Sequence, residues 1–218
     1  MFIGHWAPAL VAAAHPKAPG LGTLFIAGQL VDWAFFAFVL GGVEHMRLVP
    51  GTSVMNPMDL YHMPYTHSLL GSAVWAAGFA LILWLWRRNA TTALIGGAVV
   101  LSHWFVDLLV HVPDLTLWGA APKLGLGLWN YPAIAMPLEL GLTIGALIFY
   151  LVKTRATSTQ SRLAVGALAL FLLTVQVVNW FGPPPTEPDA TTVITVFTVY
   201  AIAALLALWV GTTRRRAE

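Results

Sequence analysis

Four ionisable side chains recur along Ser102-His103-Trp104-Phe105-Val106-Asp107-Leu108-Leu109-Val110-His111-Val112-Pro113-Asp114, a segment otherwise apolar enough to cross a membrane. At about 100° per residue, the steps of 4, 4 and 3 set His103, Asp107, His111 and Asp114 on one helical stripe about 80° wide. A charged side chain near the bilayer centre costs about 2.5–3.5 kcal/mol on insertion scales, so such groups usually face a protein interior and bind or move something. A histidine with an aspartate at i+4 can share one metal ion. A buried hydrogen-bonded pair is the alternative reading of His103 and Asp107, and ordinary interfacial polarity is that of His111 and Asp114.

The loop Tyr61-His62-Met63-Pro64-Tyr65-Thr66-His67-Ser68 brings two more histidines to the start of a helix, with Thr66 expected to cap it. His5, Asp32 and Glu139 complete the candidates. Cysteine is absent, which excludes disulfides, thiolate sites and cysteine nucleophiles. Imidazoles and carboxylates without thiols suit a divalent metal, zinc first, with manganese or iron also accommodated. The candidate ligands are His5, Asp32, His62, His67, His103, Asp107 and His111. They outnumber what one ion requires, so a two-metal centre and a single ion with hydrogen-bonded supports both remain open. Asp32, Asp107 and Glu139 are the candidates to orient or deprotonate a nucleophile. Against these, Asp32 can pair with Gln29 one turn earlier, Glu139 can bridge helices, and Glu44 with His45 reads as an interfacial pair.

The elements that must position these groups are membrane helices. The 218 residues are 58% hydrophobic and 9% charged, with a mean hydropathy of +0.77, far from soluble usage. Apolar runs long enough to span fall at 21–43, 67–86, 91–112, 129–152, 163–182 and 191–211, preceded by a shorter helix at about 2–15. The expected fold is an all-α polytopic bundle of about six spanning helices plus that short one. The first segment lacks the basic flank of a signal peptide and is kept as part of the fold. Pro132 and Pro137 predict a kink near Glu139. Pro183-Pro184-Pro185 closes the sixth run. Residues 1–152 form the core carrying the site, and 153–218 supply two helices for packing or homo-oligomerisation.

Nine of the eleven basic residues fall in alternate connections: Lys17, Arg87, Arg88, Lys153, Arg155, Arg162, Arg214, Arg215 and Arg216. The positive-inside rule makes those ends, and the C-terminus, cytoplasmic. The pI near 9.2 then reflects orientation, and no basic stripe suggests nucleic acid. Counting from the outer ends places His67 at the rim, His111 just inside, Asp107 and His103 deeper, Asp32 near mid-membrane and His5 in the outer half. These groups can converge on a cavity open to the outer face.

The series Gly4-His5, Leu30-Val31-Asp32, His62-x-x-x-Thr66-His67-Ser68 and Ser102-His103-x-x-x-Asp107 resembles the YdjM-type membrane-bound metal-dependent hydrolase family of bacterial inner membranes. The similarity spans roughly residues 4–118. A looser likeness exists to zinc-dependent phospholipases C, in their ligand order. The family's second aspartate falls on Ala34, its following histidine on Phe35 and the arginine after its first loop histidine on Met63. The resemblance implies a metal centre in the inner membrane and hydrolysis of a phosphoester or other ester of a lipid or amphipathic substrate by metal-activated water. Metal-ion or proton transport, or a metal-stabilised scaffold without chemistry, are the competing classes.

Overall fold

The computed structural model describes residues 1–183 and 187–216. Pro184 and Pro185, expected to help close the sixth run, lie outside the described residues. The chain folds as an all-α helical bundle. Among the described residues, five helices are long and apolar enough to cross a membrane: α4 (Leu69–Arg87), α5 (Ala90–Val110), α6 (Pro132–Lys153), α7 (Thr159–Phe181) and α8 (Ala190–Thr212). A sixth span is broken into α2 (Leu21–Gly28) and α3 (Leu30–Leu40), which meet at 49°. The expected short N-terminal helix is a 3-10 turn at Ile3–Trp6 followed by α1 (Ala7–Ala13). The chain is a multi-pass membrane protein.

The break in the sixth span corrects the expectation of one continuous helix over 21–43. Gly28 packs so closely on the N-terminal turn that a Cβ there would stand 2.7 Å from the His5 carbonyl oxygen. Only glycine permits that approach. Gln29 leaves helical geometry at φ −110°, and its side-chain amide donates to the Phe2 carbonyl at 3.2 Å.

The N-terminal segment lies antiparallel to α5. At one end the Met1 ammonium donates to Asp107 at 2.6 Å. At the other, the Thr92 hydroxyl donates to the Lys17 carbonyl at 2.7 Å, beside the basic turn of Arg87 and Arg88. The main apolar core gathers Trp6, Leu10, Leu24, Phe25, Val100, Leu168 and Ala203 from the N-terminal turn, α1, α2, α5, α7 and α8. The last two helices are therefore packed into the core.

Two corrections concern the connection before α4. A β-hairpin stands where a loop was expected: β1 (His45–Leu48) pairs antiparallel with β2 (Met58–His62), His45 opposite His62. The cap of α4 is Ser68, whose Oγ accepts from Gly71 N at 2.9 Å. Thr66 is used elsewhere. Asp189 caps α8, and its bond from the Thr192 backbone N–H holds its carboxyl below the ordinary carboxylate range. Two short strands, β3 (Leu115–Thr116) and β4 (Lys123–Leu124), cross the connection after α5. A further ladder pairs β5 (Thr154–Ala156) with β6 (Arg214–Arg216), where the Arg214 guanidinium donates to Thr154 and to the Leu151 carbonyl. α6 is continuous through Pro137.

Adding a Cβ at the α2–α3 break must displace the N-terminal turn. Gly28→Ala is expected to destabilise the protein by about 1–3 kcal/mol, as overpacking does, and to lower Tm in detergent. An unchanged Tm would show that the close approach to His5 is dispensable.

Candidate metal centre

His103 projects from α5 among buried groups, and its Nδ1 lies 2.9 Å from the Gly28 carbonyl oxygen. A carbonyl only accepts, so Nδ1 carries a proton and donates. In the neutral ring Nε2 then presents a lone pair. It points at Asp107 Oδ2, 3.1 Å away, and Asp32 Oδ1, 3.4 Å away. No partner in hydrogen-bond geometry satisfies that nitrogen among the described residues.

His67 repeats the arrangement from the segment before α4. Its Nδ1 lies 2.8 Å from the Thr66 hydroxyl, which donates its own proton to Glu44 Oε2 at 2.6 Å. The hydroxyl oxygen is left to accept from Nδ1. Nε2 of His67 faces Asp32 Oδ1 at 3.3 Å and Asp107 Oδ2 at 3.7 Å. His111, the residue that ends α5, directs Nδ1 to Asp114 Oδ1 at 2.8 Å and Nε2 to Asp107 Oδ1 at 3.4 Å. His5 brings Nε2 to 2.9 Å from Asp107 Oδ1 and stacks on His103 at 3.7 Å between ring centroids.

Three imidazoles are thus tied through Nδ1; His67 and His103 present Nε2 to both Asp32 and Asp107, and His111 presents it to Asp107. Lone pairs facing carboxylate oxygens in a buried site repel unless a cation lies between them. The Met1 ammonium, 2.6 Å from Asp107 Oδ1, meets part of that requirement, and protons on the rings or a shared metal ion meet the rest. The distances fit a metal. Bonds of about 2.0–2.1 Å in a tetrahedron put ligand atoms about 3.3 Å apart, and the four Nε2-to-oxygen separations made by His67 and His103 run from 3.1 to 3.7 Å. Two triads, His5-His103-Asp107 and Asp32-His67-His103, each offer ligand atoms within 4.8 Å of one another. Both use His103. One lone pair serves one ion, so the triads cannot both be filled through that nitrogen. Hydrogen bonding that fixes the ring orientation through the other nitrogen is also how protein metal sites are built.

Of the ligands expected from sequence, His5, Asp32, His67, His103, Asp107 and His111 converge. His62 does not. It lies exposed on β2, stacked against His45 at 5.6 Å in the hairpin. Glu139 is buried but faces the N-terminal segment: it accepts from Phe2 N at 2.5 Å, Gly4 N at 3.2 Å and the Gln176 amide at 2.9 Å. Its role there is to fix the strand of chain that carries His5. Asp32 pairs with the Tyr200 hydroxyl at 3.1 Å and not with Gln29.

Glu44 is the residue that sequence reasoning missed. It is fully buried, and in place of an interfacial pair with His45 it accepts from Tyr65 N, Thr66 N and the Thr66 hydroxyl. No local pattern signals it, because its partners are more than twenty residues along the chain. Tyr200 and Gln176 were likewise unseen, on helices read as packing elements. Phe35 sets its ring edge against His67, 5.0 Å between centroids, and shares an apolar cluster with Met63, Trp104 and Leu115. No family model matches the chain, and no curated protein or solved structure is significantly similar to it.

Metal content per chain, measured by elemental mass spectrometry after loading with zinc, is expected to be lost in His103→Ala and unchanged in His62→Ala. Retention in both variants would exclude the centre. Thr66→Val removes the acceptor of His67 Nδ1 while leaving every ligand in place, and is expected to weaken metal affinity about 10–100-fold in chelator competition. An affinity within twofold of wild type would show that the ring needs no such tether.

Proposed function

We propose that the protein is a membrane-embedded metal-dependent hydrolase. It cleaves a phosphoester or other ester of a lipid or amphipathic substrate, reached from the outer side of a bacterial inner membrane. The observation that carries this reading is the set of tethered imidazoles whose Nε2 atoms converge with Asp32 and Asp107. His5, His67, His103, Asp107 and His111 fit as holders of a divalent ion, zinc by donor chemistry. When bound there, such an ion polarises a scissile oxygen and brings the pKa of coordinated water toward about 7.

The two carboxylates differ in access. Side-chain exposure is 16% for Asp32 and 2% for Asp107. Asp107, enclosed by ligands on both oxygens, suits holding the ion. Asp32 has an edge open to an incoming molecule and a second oxygen fixed by Tyr200, which suits taking a proton from the nucleophile. Glu139, bonded to backbone amides, acts by positioning. Phe35 and Met63, where the resembled family carries polar residues, belong to the apolar cluster beside His67, and Ala34, the third such position, is buried. Substitution of several neighbours together reads as a repacked site with a less polar lining, and supports an apolar substrate. The distribution of basic connections, read by the positive-inside rule, supports an outer location for the ligand-bearing ends.

The zinc-loaded protein in proteoliposomes is expected to hydrolyse members of a panel of long-chain esters and phosphoesters. Asp32→Asn should abolish turnover while metal content persists. Bound metal with no turnover on any member, together with zinc crossing the bilayer, would replace hydrolysis by transport.

A further inference from the structure

Between α1, α5 and α6 runs a groove of about 800 Å³ that leads away from the metal centre. Its upper end is formed by Gly4 and Val106, the chain neighbours of His5 and Asp107, and its lower end by His15, Thr91 and Phe149. The eleven residue steps from Gly4 to His15 give it a length of about 16 Å at 1.5 Å per residue. One leaflet of a hydrocarbon core about 30 Å thick is about 15 Å deep. The groove lies within apolar spanning helices, and Val11 and Leu142 on its walls are exposed on the outside of the bundle. What surrounds it is lipid. The α6 wall is cut low by Gly141 and Gly145, at each of which a Cβ would meet nothing within 4 Å. That space is side-chain-wide, apolar and continuous with the turn that carries His5.

We propose that this groove seats one alkyl chain of the substrate, so that a long-chain phosphoester or ester enters sideways from the bilayer, tail along α5 and α6, with its polar end at the histidines and aspartates. The proposal rests on the hydrolase reading and narrows its substrate to a single-tail-accommodating lipid class. A peptide is disfavoured by the wall, which offers almost no partners for backbone N–H and C=O groups in hydrocarbon. The His15 ring accepts from Lys17 N at 3.1 Å and marks the end of the trough.

The test uses hexadecyl phosphate bearing a terminal diazirine, photolysed with the full-length zinc-loaded protein in phosphatidylcholine nanodiscs, and the labelled residues mapped by mass spectrometry. Labels are expected on the groove walls, at Val11, Val99 and Leu142. Gly145→Leu, whose Cβ would meet nothing within 4 Å, narrows the trough and is expected to cut that labelling about tenfold, the worth of about two displaced methylenes, with metal content unchanged. Gly78→Leu, which adds the same side chain into open space on α4, should leave it intact. Chelation should also reduce it, because the phosphate then has no ion to hold. Labelling equal in Gly145→Leu and wild type, insensitive to chelation, or spread over the lipid faces of α7 and α8 overturns the proposal, as does cross-linking of the groove to a second copy of the chain. Groove labelling that responds to Gly145→Leu and to chelation, with no ester hydrolysed, supports the groove and sinks only the hydrolase reading.

Discussion

Every imidazole aimed at Asp107 and Asp32 from α5 or the α4 entry is held by its far nitrogen. That tether decides the electrostatics of the whole site. It fixes which nitrogen of each neutral ring keeps a lone pair, and so turns a group of histidines near carboxylates into a converging set of electron donors, with the Met1 ammonium beside Asp107 as a positive group at their edge. Much of the fold around the site exists to provide the three acceptors. The α2–α3 break releases the Gly28 carbonyl from its helical partner four residues on and gives it to His103. The buried Glu44 takes the Thr66 proton so that the hydroxyl must accept from His67. Asp114, beyond the end of α5, does the same for His111. Removing any acceptor frees a ring to rotate or to change tautomer, and a donor pointing at a metal site is worse than none.

A second layer of polar bonds keeps the N-terminal segment from sliding. A 3-10 turn has few internal hydrogen bonds, and the amides of Phe2, Ile3 and Gly4 would be orphaned in hydrocarbon. Glu139 accepts from two of them and Gln176 from the third. A carboxylate in this position costs desolvation but gains charge-assisted bonds to backbone N–H groups and to Gln176. Helices α6 and α7 therefore determine where His5 stands, and α8 holds Asp32 through Tyr200. The two C-terminal helices are structural supports of the centre as well as packing.

What was legible in the sequence follows from the range over which its signals act. The stripe of His103, Asp107 and His111 is a property of one helix and survives into the structure, as do the spans themselves, which depend on runs of apolar residues. His5 and Asp32 were reachable because alternating charge fixes which helix ends lie together. His62 was misplaced because a short polar hairpin leaves no periodic trace, and its distance of five residues from His67 says nothing about a strand turning between them. Glu44, Gly28, Tyr200 and Gln176 act through contacts from 21 to 173 residues apart, and an acid or glutamine in such a contact looks the same in sequence as one facing water. The break at Gly28-Gln29 is intermediate: glycine hints at it, but the cause is the His5 backbone pressing from another segment.

The proposed hydrolysis of a lipid inside a bundle would set a supply problem, since water and an apolar substrate would have to meet at a site that neither solvent surrounds. The geometry separates the two approaches. A cavity of about 60 Å³ lies among Met1, Asn56, Trp129, Glu139 and Trp180, partly polar and large enough for a few waters. Trp129 packs on His111 at 4.2 Å between ring centroids, so this cavity adjoins the Asp107 face of the centre. The long groove reaches the same level from the bilayer side, past Gly4 and Val106. Residues of the N-terminal segment line both, Met1 and Phe2 the cavity and Gly4 the groove, and Glu139 and Gln176 hold that segment. Keeping that segment rigid is then more than support for one ligand. Under the proposed reading it would also keep water and hydrocarbon on separate sides of the centre, a condition that a free-standing ligand loop would not meet.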